Sequence, residues 1–361
     1  MGNRKYFFLF PFAILYRVIT DIRNYLFDTG ILPSKKFNLP LISVGNITVG
    51  GTGKTPHTEY LTDLLHSEFK VAVLSRGYKR KSSGFRIASE ASTVADIGDE
   101  PLQVSHKFRD IIVAVDTDRI NGIRTIIKEF PETEVIILDD AFQHRSISPG
   151  LSILLSKYDR LITRDYLMPY GRLRESRKNM KRADLILISK TPENIPGKIL
   201  EGIKEEIKPA YSQKLFFTSF KYGNPVPLFE KNVPGKINLS EKISEKYGIV
   251  LVTGIADPRS FKQFLGKYFK EIIHLEFPDH HCFSENDIRK AATAWNNLES
   301  PEKAIITTEK DSVRLKELNS IPDVLKEAFF YVPVSVDFLE NGKQEFNNVI
   351  FEYVRKNNRD R

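Results

Sequence analysis

Gly50-Gly51-Thr52-Gly53-Lys54-Thr55 is the part of this chain whose residue types and spacing most directly imply chemistry. Glycines let backbone N–H groups curl around phosphate oxygens, Lys54 would reach the β- and γ-phosphates, and the Thr55 hydroxyl would ligate Mg²⁺. The nucleotide-binding segment is therefore read as Thr48, Val49, Gly50, Gly51, Thr52, Gly53, Lys54 and Thr55, with ATP and Mg²⁺ as its ligands. The general pattern has glycine where this chain has Thr48, and Gly50-Gly51 supply the flexibility instead.

A second acidic signal lies downstream. Val135-Ile136-Ile137-Leu138 runs into Asp139-Asp140, the form of a buried strand ending in a carboxylate that holds Mg²⁺ directly or through water. Adjacent carboxylates repel unless a cation sits between them, so Asp139 and Asp140 are read as metal ligands with Thr55. Gln143, His144 and Arg145 follow on the loop at the same edge. Gly98-Asp99-Glu100-Pro101 puts two acids on a turn before a helix; a kinase needs a carboxylate to accept its substrate's proton, and the same tetrapeptide fits a helix N-cap. Asp279-His280-His281 has no cysteine or spaced partner to complete a zinc set. Arg76, Arg119, Arg172 and Arg174 form a basic group, and Leu167 to Glu175 mixes apolar and cationic residues in a way that suits a phosphate-bearing amphiphile.

The elements that must carry these residues alternate short β-branched runs with helical stretches, the pattern of a mostly parallel sheet with helices on both faces. The runs are Leu41 to Val44, Val71 to Leu74, Ile111 to Val115, Val135 to Leu138, Ile153 to Leu155 and Leu185 to Ile188. Their C-terminal ends, where open α/β sheets bind ligands, carry Gly45-Asn46, Arg76-Gly77-Tyr78, Asp116, Asp139-Asp140 and Ser189-Lys190. From Phe216 to Gly235 the texture turns to proline, glycine and aromatic residues and reads as a boundary. A second α/β set follows at Ile249 to Val252, Ile272 to Leu275, Ala304 to Ile306 and Phe329 to Val334. The expected organisation is an N-terminal helix (1–30), a catalytic domain (31–215), a smaller α/β domain closing over the site (216–347) and a charged, frayed tail (348–361).

Composition narrows the partners. The chain has 361 residues, 41% hydrophobic and 28% charged, which reads as globular. A net charge of +8 favours anionic partners, and no helix-turn-helix, zinc-finger or RNA-binding signature points to nucleic acid. Cys282 is the single cysteine, which excludes an internal disulfide and suits a reducing compartment. No obligate protein partner is visible. Tyr6 to Tyr16 is almost wholly apolar, but Pro11 interrupts it and it falls short of a bilayer span. With Ile14, Val18, Ile22 and Leu26 spaced four apart, the segment reads as an interfacial helix whose Arg4, Lys5, Arg17 and Arg23 meet anionic lipid; the alternative is a core helix packed on its own domain.

With these motifs in order, nearly the whole chain resembles the tetraacyldisaccharide 4′-kinases, the lipid A 4′-kinases of Gram-negative bacteria. The resemblance runs through Ser43 to Pro56, Leu74 to Tyr78, Gly98 to Pro101, Leu138 to Arg145, Gly171 to Glu175, Thr253 to Phe261, Phe277 to His281 and Thr307 to Asp311. It implies phosphorylation by MgATP of the 4′-hydroxyl of a glycolipid, a tetraacylated disaccharide 1-phosphate, at the cytoplasmic face of the inner membrane. The family's catalytic aspartate maps onto Asp99 and its partnering histidine onto His280. Arg76, Tyr78, Glu100, Arg119, Gln143, His144 and Arg172 are the expected substrate-binding residues. The nucleobase site stays open between Ser189-Lys190 and Thr308-Glu309-Lys310-Asp311. A GTPase-type switch protein is the rival reading, but Ser189-Lys190-Thr191-Pro192 lacks the Asn and Asp of a guanine-reading motif.

Overall fold

The computed structural model describes residues 8–229, 237–239 and 246–359. Arg4, Lys5, Tyr6 and Phe7, Gly235 at the end of the expected boundary, and the last two residues of the tail lie outside that set.

The chain begins with α1 (Phe10–Asp28), β1 (Leu41–Gly45), α2 (Lys54–Leu65), β2 (Val71–Ser75), β3 (Arg86–Ile87), α3 (Val94–Ile97) and α4 (Asp99–Lys107). Next come β4 (Ile112–Val115), α5 (Arg119–Glu129), β5 (Val135–Asp139), β6 (Leu151–Lys157), β7 (Leu185–Ser189), α6 (Gly197–Ile207), β8 (Lys214–Tyr222) and β9 (Val226–Pro227). The remainder is β10 (Tyr247–Thr253), α7 (Arg259–Leu265), β11 (Glu271–Glu276), α8 (Glu285–Asn296), β12 (Glu302–Thr308), α9 (Glu309–Lys316), α10 (Asp323–Lys326), β13 (Phe329–Val332), β14 (Val334–Phe338) and α11 (Gly342–Arg359).

These strands make two sheets. The larger has nine strands in the order β14-β8-β7-β6-β1-β5-β2-β4-β3, the smaller five in the order β11-β10-β12-β13-β9. Central strands such as β1, β2 and β5 are buried along their whole length, because helices cover both faces and every position must be apolar. On one face α2, α4 and α11 pack through Leu61, Val104 and Phe346; on the other, α5 and α6 pack through Ile123 and Leu200. In the smaller lobe α8 and α9 cover one face and α7 the other. The expected α/β class and nearly all the expected strands are present.

Three expected boundaries move. The linker expected from Phe216 begins inside β8, whose Phe216 and Phe217 are core residues that pair it parallel to β7. The single run Phe329 to Val334 is two strands in different sheets: Pro333 has no N–H to continue the ladder, so β13 ends on β12 while β14 pairs antiparallel with β8. The expected tail is α11, in which Phe346, Ile350 and Val354 recur every four residues and are almost fully buried against the large sheet. The chain therefore crosses between the lobes twice, and the large lobe contains both ends of the described sequence.

Helix α1 is tied down along one side, with Ala13 and Asn24 buried and the Tyr16 hydroxyl donating to the Arg174 carbonyl at 3.0 Å. Its other side exposes Phe12, Leu15, Val18, Ile19 and Ile22, each about half accessible or more. That face does not pack on its own domain. Among the described residues no helix is long and apolar enough to cross a membrane.

If α11 is integral to the large lobe, Phe346→Ala should cost about 3–5 kcal/mol in denaturant unfolding, the range for emptying a buried aromatic site. A loss below about 1 kcal/mol would mean the helix is an appendage.

Candidate active site

The phosphate loop is shaped by what surrounds it. The register of Val44 with Asp139 sets the loop after β1 beside the acidic pair that ends β5. Gly50 (φ 100°) and Gly53 (φ 86°) take left-handed backbone, and a Cβ on Gly53 would sit 2.5 Å from the Phe220 ring, so only glycine fits there. The loop is then clamped from three sides. Asn46 Nδ2 donates to Thr52 Oγ1 at 2.5 Å, Ser189 Oγ donates to the Thr52 carbonyl at 2.7 Å, and Arg174 Nη2 donates to Asn46 Oδ1 (2.5 Å) and the Thr48 carbonyl (3.2 Å). His57, one turn into α2, donates from Nδ1 to the Gly53 carbonyl (2.7 Å) and accepts at Nε2 from Thr218 (2.9 Å).

Two acids face this loop differently. Asp140, with φ 49°, lies 3.7 Å from Lys54 Nζ and 3.8 Å from Arg174 and lines the cavity over the loop. Asp139 is 3% exposed beneath it and accepts from Thr58 Oγ1 at 3.1 Å. Burial, then the charges of Glu100 and Asp140, pushes the Asp139 carboxyl well above the usual carboxylate range. A buried carboxyl raised in this way by its acidic neighbours is one that a divalent cation would return to its charged form. Among the described residues no three His, Cys, Asp or Glu side chains converge into a cage. A hydroxyl and one or two carboxylates are instead the donor set of Mg²⁺, which completes its shell with water and phosphate oxygens.

The other wall of the cavity comes from the small lobe. Asp99 opens α4 after Gly98 (φ 90°), and its Oδ2 accepts from His280 Nδ1 at 2.8 Å. His280 (φ 56°) is held by its own N–H, which donates to the Gly254 carbonyl at 3.0 Å, while Asp311 fixes the Gly254 N–H at 2.9 Å. Burial opposes ionisation of Asp99, yet the His280 hydrogen bond and the Lys310 and Arg314 charges win and hold it down at about 2. These partners favour the carboxylate form of Asp99. It is 3% exposed and sits behind His280, whose ring reaches the cavity.

The cavity itself has a volume of about 510 Å³ and joins Gly50 through Thr55 to Tyr78, Glu100, Asp140, His280 and Lys310. Four of its lining residues, Lys79, Asp140, Lys190 and His280, are non-glycine residues with positive φ, a conformation that costs free energy and concentrates at functional sites. Of the expected substrate residues, Tyr78 packs edge-on against His280 (5.2 Å) and Glu100 accepts from Lys310. Arg172 lies over Gly50. Gln143 donates to Glu175 (3.0 Å) on the side toward α1, beside His144, which burial lowers to about 4. Arg76 is exposed at the end of β2. Arg119 does not reach the cavity: it is 2% exposed and donates to the Asp116 and Asp139 carbonyls at 2.5 and 3.1 Å, tying β4 to β5. The adjacent histidines diverge, His281 turning to Asp287 at 2.9 Å.

Residues 5–355 match the family described as tetraacyldisaccharide-1-P 4′-kinase, LpxK. The chain belongs to this family. It is 46% identical over 353 residues to the tetraacyldisaccharide 4′-kinase of Phocaeicola vulgatus, covering 97% of this chain and 96% of that one. It is 44% identical over 349 residues to the Flavobacterium johnsoniae 4′-kinase, covering 97% of each. A crystal structure of LpxK from Aquifex aeolicus in complex with ATP superposes with a TM-score of 0.72 at 30% identity, over 96% of this chain and 98% of that one.

Two cations beside the Asp99–His280 pair of this 4′-kinase family member are not among the expected catalytic or substrate-binding residues. Lys310 was weighed only for the nucleobase, yet it bonds Glu100 and His280; Arg314, with no motif to mark it, lies 3.8 Å from Asp99. Ser189 supports the phosphate loop, while Lys190 lies over the Phe220 ring at 5.3 Å and lines the cavity. Phe220, Ile255, Phe261 and Val332 add apolar lining to the cavity.

His57 makes the loop acid-sensitive. Burial lowers it to about 4, whereas the unfolded chain's histidine takes a proton near about 6.5. The unfolded state therefore binds more protons between those values, so stability is full above about pH 6.5 and is lost as pH falls toward 4. Thermal melts across that window should show a shallower acid slope for His57→Gln than for the unmodified chain. An unchanged slope would contradict the assignment.

Proposed function

We propose that this chain transfers the γ-phosphate of ATP to the 4′-hydroxyl of a tetraacylated disaccharide 1-phosphate, in lipid A biosynthesis. The observation that carries the mechanism is one cavity that joins the phosphate loop to His280, with Asp99 hydrogen-bonded behind that ring. The loop N–H groups and Lys54 would hold the triphosphate, and Thr55 and Asp139, with Asp140 beside them, would hold Mg²⁺. The cation would neutralise charge on the β- and γ-phosphates. The 4′-oxygen attacks the γ-phosphorus, the new P–O bond forms as the bond to the β–γ bridging oxygen breaks, and ADP leaves. Asp99 receives the hydroxyl proton while His280 orients it. In a loose phosphoryl-transfer transition state the proton leaves late, so a carboxylate as weakly basic as Asp99 serves as acceptor if it is well positioned.

The substrate's acyl chains call for an apolar entry. The exposed face of α1 offers one, and Arg17 and Arg23 on the same helix suit anionic headgroups. Between that helix and the phosphate loop runs Gly171 to Glu175: Arg174 receives Tyr16, Glu175 accepts from Asn24 at 3.2 Å, and the Arg172 carbonyl accepts from Val49 at 2.9 Å. We place the enzyme on the cytoplasmic face of the inner membrane, with α1 at the lipid boundary and Arg76, Tyr78, Glu100, Gln143, His144 and Arg172 flanking the sugar path. Buried Arg119 would act only by bracing Asp139.

With labelled ATP and tetraacyldisaccharide 1-phosphate, label should appear in the lipid extract. Asp99→Ala should lower transfer by about a hundredfold or more with ATP affinity changed by less than about threefold. Normal turnover in that variant would remove Asp99 from the role. Ile19→Glu with Ile22→Glu should weaken partition onto anionic vesicles and raise KM for the glycolipid more than it lowers kcat; unchanged partition would take α1 off the membrane.

A further inference from the structure

Lys310 occupies a place that the transfer mechanism above does not use. It is the second residue of α9, and its ammonium donates to Glu100 Oε1 at 2.9 Å and meets His280 Nε2 at 3.1 Å. A lysine ammonium has donors only, so Nε2 must present its lone pair. On the other side of the ring, Asp99 is ionised and can only accept, so Nδ1 must carry the proton. The two neighbours together admit one form of the ring, the neutral Nδ1–H tautomer. Of the remaining groups around it, Asp279 alone pulls a proton toward Nε2, from 3.9 Å, and it lies equally near the Lys310 ammonium at 4.0 Å; Tyr78 offers a ring edge, and Arg314 lies 3.8 Å from Asp99.

We infer that Lys310 is a positioning residue for the transfer: it locks His280 as the neutral Nδ1–H tautomer aimed at Asp99 and pins Glu100 to the cavity wall. This inference rests on the function proposed above. Its physical content is a competition for one lone pair. With Lys310 present, a proton on Nε2 would face a half-buried ammonium, which opposes it. Without Lys310, Nε2 is open to a proton, and the resulting imidazolium donates a charge-assisted hydrogen bond to Asp99. The carboxylate then holds its electrons more tightly and is a poorer acceptor for the hydroxyl proton. Lys310 and His280 both belong to the small lobe whereas Glu100 and Asp99 belong to the large one, so the bonds to Asp99 and Glu100 cross between the lobes while the Lys310–His280 contact does not.

The test uses the full chain with Lys310→Met, which keeps length and loses the donors, and Lys310→Arg, which keeps charge and donors. Lys310→Met should lower kcat about tenfold or more while KM for ATP moves less than about threefold, and its kcat–pH profile should gain an inactivating protonation on the acid side. Lys310→Arg should recover much of the loss and lack that new limb. Nitrogen NMR of the labelled histidines reads the lock without any turnover: in the unmodified protein His280 should show a protonated Nδ1 and a bare Nε2 at neutral pH. A protonated Nε2 there overturns the inference even if a variant fails to fold. So does Lys310→Met with kcat within about twofold of normal, or with a loss that leaves the pH profile unmoved. Absence of glycolipid phosphorylation by the unmodified chain would count against the proposed function instead, and the NMR arm would still decide the tautomer.

Discussion

The hydrogen bond between Asp99 and His280 is the contact on which the rest of this structure depends. Asp99 is buried and ionised, and a buried carboxylate is costly unless charged or polar partners surround it. Its partners are His280, Lys310 and Arg314, all from the small lobe. The large lobe supplies the acid and the small lobe supplies what keeps the acid charged. Other ionic ties repeat the arrangement on either side. Lys107 of α4 lies between Glu59 (2.7 Å) and Glu309 of α9 (3.3 Å), and Arg259 reaches Asp159 across the lobes at 3.0 Å.

Within the large lobe the phosphate loop is held by residues that also hold something else. Arg174 braces Asn46 and Thr48 while its carbonyl anchors Tyr16 of α1. Glu175, buried a residue further on, accepts from Asn24, Gln143 and Arg182. The apolar helix and the nucleotide cradle thus share one short segment. The backbone pays a local cost for this convergence, with left-handed φ at Asp140, Lys190 and His280 where three separate chain segments turn into the cavity. Packing on the large sheet holds the first two turns, and the Gly254–Asp311 contacts of the small lobe hold the third.

Much of this was legible in the sequence. The glycines and Lys54 between an apolar strand and a helix define the phosphate loop on local grounds, and Asp139 follows from an apolar run ending in acids. The strand periodicities of both sheets were equally plain. What was not legible depends on tertiary context. Nothing local distinguishes β8 from a linker, because the prolines and glycines that follow Tyr222 dominate the texture. The charges of Arg355 and Lys356 hid the apolar stripe of α11, which becomes meaningful only against the aromatic residues of α2 and β8. Pro333 separated two strands that composition alone runs together. Arg119 looks like a ligand-binding arginine by position, but its neighbours are carbonyls of two strand ends. Lys310 and Arg314 could be assigned only once the lobes were seen to meet.

If Asp99 and His280 act as one unit, their contributions to turnover cannot be independent. A double-mutant cycle on kcat/KM with Asp99→Asn, His280→Gln and the double variant tests this directly. The structure predicts that the double variant is little worse than the more damaged single variant. Losses that simply multiply would show that the two residues work separately, and would contradict the account.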